Sequence, residues 1–113
     1  MIDDVASLSL QTAIHGLAVR QQVTANNIAN LETPGFTAST VSFETSLAAA
    51  VSAGTPTAAT IGTEPSDAPA ALNGNNVNLD EETLSNVDTG LRYQLALRAM
   101  DDKFGLVRDV IKG

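Results

Sequence analysis

The last third of the sequence has the residue spacing of one long helix that is apolar on two sides. Asn78 with Glu81 three positions later is a capping box, which predicts a helix from Leu79 to about Ile111. Large apolar residues recur along it in two rows, here called the first and second seams. At roughly 100° per residue the two seams lie on nearly opposite faces of this helix.

A helix with apolar residues on two opposite faces must be buried on both of them. We assign the first seam to packing on the N-terminal helix of the same chain, because it extends further towards the helix start. This row continues to Val110, but the name first seam is kept here for the members assigned to that packing: Leu84, Val87, Leu91 and Leu95. One partner helix covers one seam only, so we assign the second seam to packing between subunits. It comprises Tyr93, Leu97, Met100, Phe104, Val107 and Ile111.

The N-terminal segment predicts a second long helix, because residues 4–30 contain no proline and one glycine. Asn30 tolerates the left-handed conformation of a C-cap, so the helix is expected to end there. Pro34 and Gly35 then have the residue types of a type II turn, in which the glycine has positive φ. The residues expected to pack on the C-terminal helix share one apolar row: Leu10, Ile14, Leu17, Ile28 and Leu31.

The whole sequence divides into four segments. Residues 1–31 form the first helix, and residues 32–54 hold the turn, an extended stretch and a short helix from Phe43 to about Ala53 with Ser42 as N-cap. Residues 55–78 have few large apolar side chains, so we expect a loop that is flexible or ordered by a partner. Residues 79–113 form the last helix. The predicted fold class is all-α, with the two long helices paired as a coiled-coil hairpin.

Charge and hydropathy exclude several classes of partner. The 113 residues include 13 acidic and 6 basic ones, a net charge of −7, which opposes binding to nucleic acid or directly to anionic lipid. The longest apolar run, residues 47–51, is far shorter than the roughly 18 residues of a membrane span. The acidic first residues and the lack of a following apolar stretch predict no cleaved signal peptide.

No pattern in the sequence indicates catalysis. The chain has no cysteine, and its single histidine, His15, is expected to be a packing or interface residue. Neighbouring carboxylates such as Asp101 and Asp102 diverge by about 100° on a helix, which is unsuitable for a paired acid and base. We therefore predict no catalytic, cofactor-binding or metal site, and no enzyme activity.

The densest polar motif lies where the first helix ends. It comprises Asn26, Asn27, Asn30, Thr33, Pro34, Gly35 and Phe36. A helix cap followed by a turn explains Asn30, Pro34 and Gly35. It does not explain Asn26 and Asn27, whose poor helix propensity suggests amides that hydrogen-bond other backbone groups. The residues leave both interpretations open.

This motif, with Ala25 before it, resembles the N-terminal signature of flagellar basal-body rod and hook proteins. The run from Gly74 to Asp80, followed by Leu91-Arg92-Tyr93-Gln94 and by residues 103–108, is similar to the proximal rod members of that family. Distal rod and hook proteins carry a large insertion for which this chain has no room. The resemblance covers residues 5–50 and 74–112, and residues 55–72 match nothing in the family pattern.

The resemblance implies a structural subunit of the proximal rod, built into a helical tube that transmits torque and conducts exported subunits. It implies a place in the periplasmic part of the basal body, reached through the flagellar type III export apparatus. The implied partners are copies of the same chain, other proximal rod proteins, the adaptor between rod and membrane ring, and the export apparatus. No cofactor is implied.

A helical-hairpin adaptor or export chaperone is the alternative function. Such a protein would bind a client helix on its second seam. The Asn and Pro-Gly spacing argues against it, because a chaperone has no evident need for that motif.

Overall fold

The computed structural model describes the backbone of residues 4–112 and the side chains of residues 4–103. It contains three helices, α1 (Val5–Ala29), α2 (Glu44–Ser52) and α3 (Leu79–Lys112), and two strands, β1 (Ser39–Ser42) and β2 (Gly62–Pro65). A short 3-10 turn lies at Pro56–Ala58. The chain measures 64 × 25 × 14 Å, so it is long and thin. Its radius of gyration, 17.4 Å, exceeds the roughly 13 Å typical of a compact domain of this length.

Helix α1 begins and ends close to the predicted positions. The side chain of Asp4 accepts a hydrogen bond from the backbone N–H of Ser7 at 2.8 Å, which caps the first turn. The C-cap is Asn30, with φ −104° and ψ 20°, so the predicted left-handed conformation at this residue is wrong. The left-handed residue is Gly35, with φ +74°, in the predicted turn. The N–H of Phe36 closes that turn on the carbonyl of Thr33 at 3.2 Å.

Helix α3 runs antiparallel to α1 along most of its length. Near the start of α3, Glu82 contacts Asn27 at the end of α1. Further along, the side chain of Gln21 donates to Asn86 at 3.1 Å. The N-terminal end of α1 is joined by an ion pair of 2.6 Å between Asp4 and Lys103. The two long helices of the prediction are present and lie against each other.

The predicted packing of the first seam on α1 is wrong, and so is the intersubunit assignment of Met100. All four residues of the first seam lie at the surface of the chain, with exposed fractions of 71% for Leu84, 56% for Val87, 58% for Leu91 and 68% for Leu95. From the second seam, Met100 is buried and Tyr93 is half-buried against the core. Leu97 is 41% exposed. The side chains of Phe104, Val107 and Ile111 lie outside the described residues.

The first seam faces away from α1 because polar contacts set the rotation of α3 about its axis. Its inward face near the helix start carries small and polar residues, among them Glu82, Ser85 and Thr89. Thr89 is only 1% exposed, since small side chains let α1 and α3 approach closely. The assignment of the first seam rested on its extension towards the helix start, where the face turned to α1 is in fact small and polar.

A two-stranded sheet makes the fold mostly helical rather than all-α. Strands β1 and β2 pair antiparallel, with Ser39 opposite Pro65 and Ser42 opposite Gly62. Residues 55–78, expected as a flexible or partner-ordered loop, therefore supply a strand and the 3-10 turn. The strand escaped the prediction because its sequence, Gly-Thr-Glu-Pro, lacks the alternation of apolar residues that marks a strand.

The core lies where β1 and the start of α2 meet the middle of α1. Its buried members are Leu17, Val41 and Phe43. Phe43 also occupies the N-cap position of α2, which was expected at Ser42. A Cβ on Gly16 would lie 2.7 Å from the Phe43 ring, so the glycine makes room for this packing. Of the residues predicted on α1, Leu17 is buried, and the half-buried ones are Leu10, Ile14, Ile28 and Leu31.

Candidate functional site

The main polar cluster is an asparagine junction, formed where residues 26–36 meet residues 73–78. Three asparagines in it are almost completely buried: Asn27 is 0% exposed, Asn75 6% and Asn76 8%. A buried amide is costly unless its donors and acceptor have partners. All three amides have them, and each binds backbone groups of a distant segment.

Asn27 joins three elements of the fold. Its Oδ1 accepts a hydrogen bond from the backbone N–H of Ser39 at 3.0 Å, and its Nδ2 donates to the Ser39 carbonyl at 2.8 Å. The same Nδ2 donates to Oε1 of Glu82 at 3.0 Å. Helix α1 is thus tied to β1 and to the first turn of α3. Burial raises the pKa of the Glu82 carboxyl, while the hydrogen bond from Asn27 acts in the opposite direction.

Asn75 satisfies the carbonyls left free at the end of α1. Its Nδ2 donates to the carbonyls of Asn30 at 2.9 Å and Thr33 at 2.7 Å. Its Oδ1 accepts from the backbone N–H of Val77 at 2.8 Å. A helix end needs such partners because its last carbonyls have none within the helix.

Asn76 holds the segment that follows the Pro-Gly turn. Its Oδ1 accepts from the N–H of Ala38 at 2.7 Å. Its Nδ2 donates to the carbonyls of Ser66 at 3.1 Å and Ala68 at 3.2 Å. The chain just before β1 and the chain just after β2 are therefore both fixed to the residues that precede α3.

Two glycines allow the two halves of the junction to touch. Gly35 and Gly74 both have positive φ, +74° and +84°. A Cβ on Gly74 would lie 3.2 Å from the Cα of Gly35, closer than such contacts usually are. The N–H of Gly35 donates to the carbonyl of Asn73 at 2.8 Å. Side chains other than hydrogen would strain this approach.

The structure shows that each interpretation of the asparagine motif explains part of it. Asn30, Pro34 and Gly35 form the helix cap and turn, and Thr33 donates its hydroxyl to Oδ1 of Asn30 at 3.1 Å. Asn27 uses its amide to bind other backbone, as the second interpretation proposed. Asn26 is exposed, and Asn30 contacts it within the same helix turn.

Sequence reasoning missed the functions of Gly74, Asn75 and Asn76. The sequence contained a signal for them, since the run from Gly74 to Asp80 carries part of the family resemblance and has two adjacent asparagines beside a glycine. Phe36 is half-buried, and its carbonyl accepts from the N–H of Asn76 at 3.2 Å. Pro34 is exposed.

A second polar anchor lies beside the core. The Arg20 guanidinium forms an ion pair of 2.5 Å with Glu44, donates to the carbonyl of Val41 at 2.8 Å, and lies 5.0 Å from the centre of the Phe43 ring. The Arg20 hydrogen bond lowers the pKa of the Glu44 carboxyl to about 2. This anchor fixes α2 and β1 on α1.

The chemistry of these clusters is structural. Among the described residues, no group of three metal-ligating side chains is close enough to hold an ion. His15 lies exposed on α1, so it does not pack inside the chain, and an interface function for it stays a prediction. Within residues 4–112 there is no helix whose length and hydropathy suit a transmembrane span.

Comparison with known proteins gives matches that include this junction. Residues 9–37 match the family model described as "Flagella basal body rod protein", which covers most of α1 and the Pro-Gly turn. The flagellar basal body rod protein FlgB of Escherichia coli (strain K12) is 29% identical, over 96% of this chain and 94% of that protein. FlgB of Bacillus subtilis (strain 168) is also 29% identical, over 93% of this chain and 92% of that protein.

Proposed function

We propose that this FlgB-like chain is a structural subunit of the rod of the bacterial flagellar basal body, and not an enzyme. The observation that carries the proposal is the asparagine junction. Half of it lies in the segment that matches the rod-protein family. It fixes two long helices against each other in a rotation that leaves the first seam uncovered.

The finer part of the proposal concerns how the subunit is built into the rod. The antiparallel α1–α3 pair serves as a coiled-coil hairpin, and copies pack side by side into a helical tube of the proximal rod. The tube transmits torque and conducts exported subunits. The length of 64 Å and the width of 14–25 Å suit a subunit that packs along its sides.

The exposure of the first seam supports assembly through many contacts. Full burial of one Val or Leu side chain contributes about 1.5–3 kcal/mol. Its four members are 56–71% exposed, so covering them adds about 4–8 kcal/mol in total. Association of two proteins costs roughly 4–15 kcal/mol. One such contact is too weak for a stable dimer, but several contacts per subunit stabilise an assembly.

The first seam is thus added to the surface proposed to pack between subunits. Met100 is buried inside the chain and leaves this set, whereas Tyr93 is only half-buried and remains in it. Leu97, whose side chain is 41% exposed, also remains in the intersubunit set. For Phe104, Val107 and Ile111 the original assignment stays a prediction.

We further propose partners beyond copies of this chain. They are the other proximal rod proteins, the adaptor that joins the rod to the membrane ring, and the type III export apparatus, which delivers the chain without a cleaved signal peptide. These partners follow from the family resemblance.

Deletion of the gene tests the rod function. We expect cells without the chain to be non-motile and their basal bodies to lack a rod, because a structural layer is missing. Expression of the wild-type chain from a plasmid restores both. Deleted cells that swim and contain complete rods would contradict the proposal.

A helical-hairpin adaptor or export chaperone is the second candidate, and the exposed first seam is the observation in its favour. Such a protein stays with its client in the cytoplasm. Cell fractionation separates the two functions, since a rod subunit sediments with basal bodies.

A further inference from the structure

The structure exposes a groove along α1 that is distinct from the first seam. A groove with a volume of about 500 Å³ lies between α1 and α3. Its lining is mostly small or amide residues: Ala18, Gln21, Gln22, Ala25 and Tyr93. This groove, the α1 groove, is open to solvent. It lies beside α1, whereas the first seam lies on the side of α3 that faces away from α1.

We propose that the first seam of one copy packs into the α1 groove of a second copy. This inference rests on the proposed rod function and adds to it the two surfaces that meet. The occupant is therefore a chain of the same sequence, and the contact joins two different faces.

Shape supports this pairing. The first seam presents branched aliphatic side chains, of which Leu84 and Leu95 are the most exposed. The α1 groove offers alanines at positions 18 and 25 that leave space between the two helices of the pair. Large side chains of one helix fit the depressions above small residues of another. The seam extends over about 16 Å at 1.5 Å per residue, and the exposed side of α1 is longer.

Charge supports the pairing as well. In residues 5–31 the only formal charge at pH 7 is Arg20, and Glu44 pairs with it. The groove side of α1 therefore presents no unpaired charge to an incoming leucine. On α3 beside the first seam, Asp88 and Arg92 form an ion pair with each other at 2.9 Å. Depletion of charge is typical of the buried centre of interfaces.

A contact of this kind has the symmetry that a helical rod requires. A contact between two different faces is head-to-tail, because each copy still has one free seam and one free groove. Repetition of a head-to-tail contact gives an open helical filament unless the rotation closes a ring. A contact of the first seam with itself would give a two-fold dimer and stop there.

Disulfide crosslinking in assembled basal bodies tests the pairing, since the natural chain has no cysteine. The test variant carries Leu91→Cys on the first seam and Gln22→Cys in the groove. The two single variants and the pair Leu91→Cys with Glu64→Cys, a position exposed on β2, are the controls. A disulfide forms only when the two Cα atoms lie within about 7 Å. Ala25→Cys replaces Gln22→Cys in a second test variant.

After mild oxidation we expect a ladder of dimers, trimers and longer chains from at least one test variant. The single variants should remain monomeric on a non-reducing gel. Dimers from Leu91→Cys alone would overturn the pairing in favour of a seam-to-seam contact. If basal bodies contain the chain but both test variants crosslink no more than the Glu64 control, the pairing is wrong and the rod function stands. Absence of the wild-type chain from basal bodies would overturn the rod function, and this inference with it.

Discussion

Replacing Asn27 with alanine removes the residue that ties α1 to both β1 and α3. The substitution leaves the N–H and carbonyl of Ser39 and one carboxylate oxygen of Glu82 without their partner. Asn27 is 0% exposed, so water replaces the amide only if the structure opens. We expect this to be the most damaging substitution in the asparagine motif.

The size of the effect follows from the three lost hydrogen bonds. Each contributes about 1 kcal/mol net, and a buried group without a partner costs about 1–3 kcal/mol. Alanine regains about 0.5 kcal/mol through its better helix propensity. The expected loss is therefore about 2–4 kcal/mol. A domain of this length has a total free energy of unfolding of roughly 6–17 kcal/mol.

Urea unfolding of the purified chain, followed by far-UV circular dichroism, measures this loss. Asn26→Ala is the matched control, because Asn26 is exposed and contacts Asn30 only within its own helix turn. Its midpoint should stay close to that of the wild type, within about 0.5 kcal/mol. If Asn26→Ala and Asn27→Ala differ by less than about 1 kcal/mol, the junction does not hold the helices together.

Three further predictions concern the surface, the backbone and the ion pair. Leu91→Asp should change the free energy of unfolding by less than about 0.5 kcal/mol, since the side chain is largely exposed, yet abolish swimming in soft agar. Leu72→Asp, on a fully exposed loop residue, is its control and should swim normally; equal swimming of the two variants would show that the first seam is not an interface. Gly74→Ala should lower the free energy of unfolding by more than about 1 kcal/mol, because it combines positive φ with a close backbone contact, and an unchanged urea midpoint would refute this. The folded pKa of Glu44 is about 2, below the ordinary value of 4.5, so its ion pair stabilises the fold above about pH 4.5 and is lost as pH falls towards 2. Glu44→Gln should flatten that part of the curve of unfolding free energy against pH. An identical curve for the variant and the wild type would contradict the assignment of the ion pair.

The start of α3 and the turn after α1 could be predicted from the sequence because local chemistry determines them. Asn78 caps α3, with its Oδ1 accepting from the N–H of Glu81 at 3.2 Å. Gly35 adopts the positive φ that the turn requires. Caps and turns depend on residues a few positions apart, which the sequence displays directly.

The rotation of α3 could not be predicted, because it depends on contacts between distant residues. Hydrogen bonds from Asn27 to Glu82 and from Gln21 to Asn86 fix which side of α3 faces α1. Neither pair is marked by hydrophobicity. The extension of the first seam towards the helix start therefore suggested an inward face that the polar contacts place outside.

The functions of Asn75 and Asn76 were hidden for the same reason. An asparagine before a helix is ordinarily read as a cap or a turn residue. Here the Nδ2 groups of both amides donate to carbonyls 8 to 45 positions away. Only the fold shows which distant backbone groups need these partners.

Mass spectrometry of purified basal bodies tests the central claim most directly. The rod function predicts that the chain co-purifies with the rod after detergent extraction, in a constant ratio to the other rod proteins. Wild-type cells and cells that carry Leu91→Asp are compared, and the chain should be lost from the basal bodies of the variant. A wild-type chain that is absent from basal bodies and found only in the cytoplasmic fraction would contradict the claim.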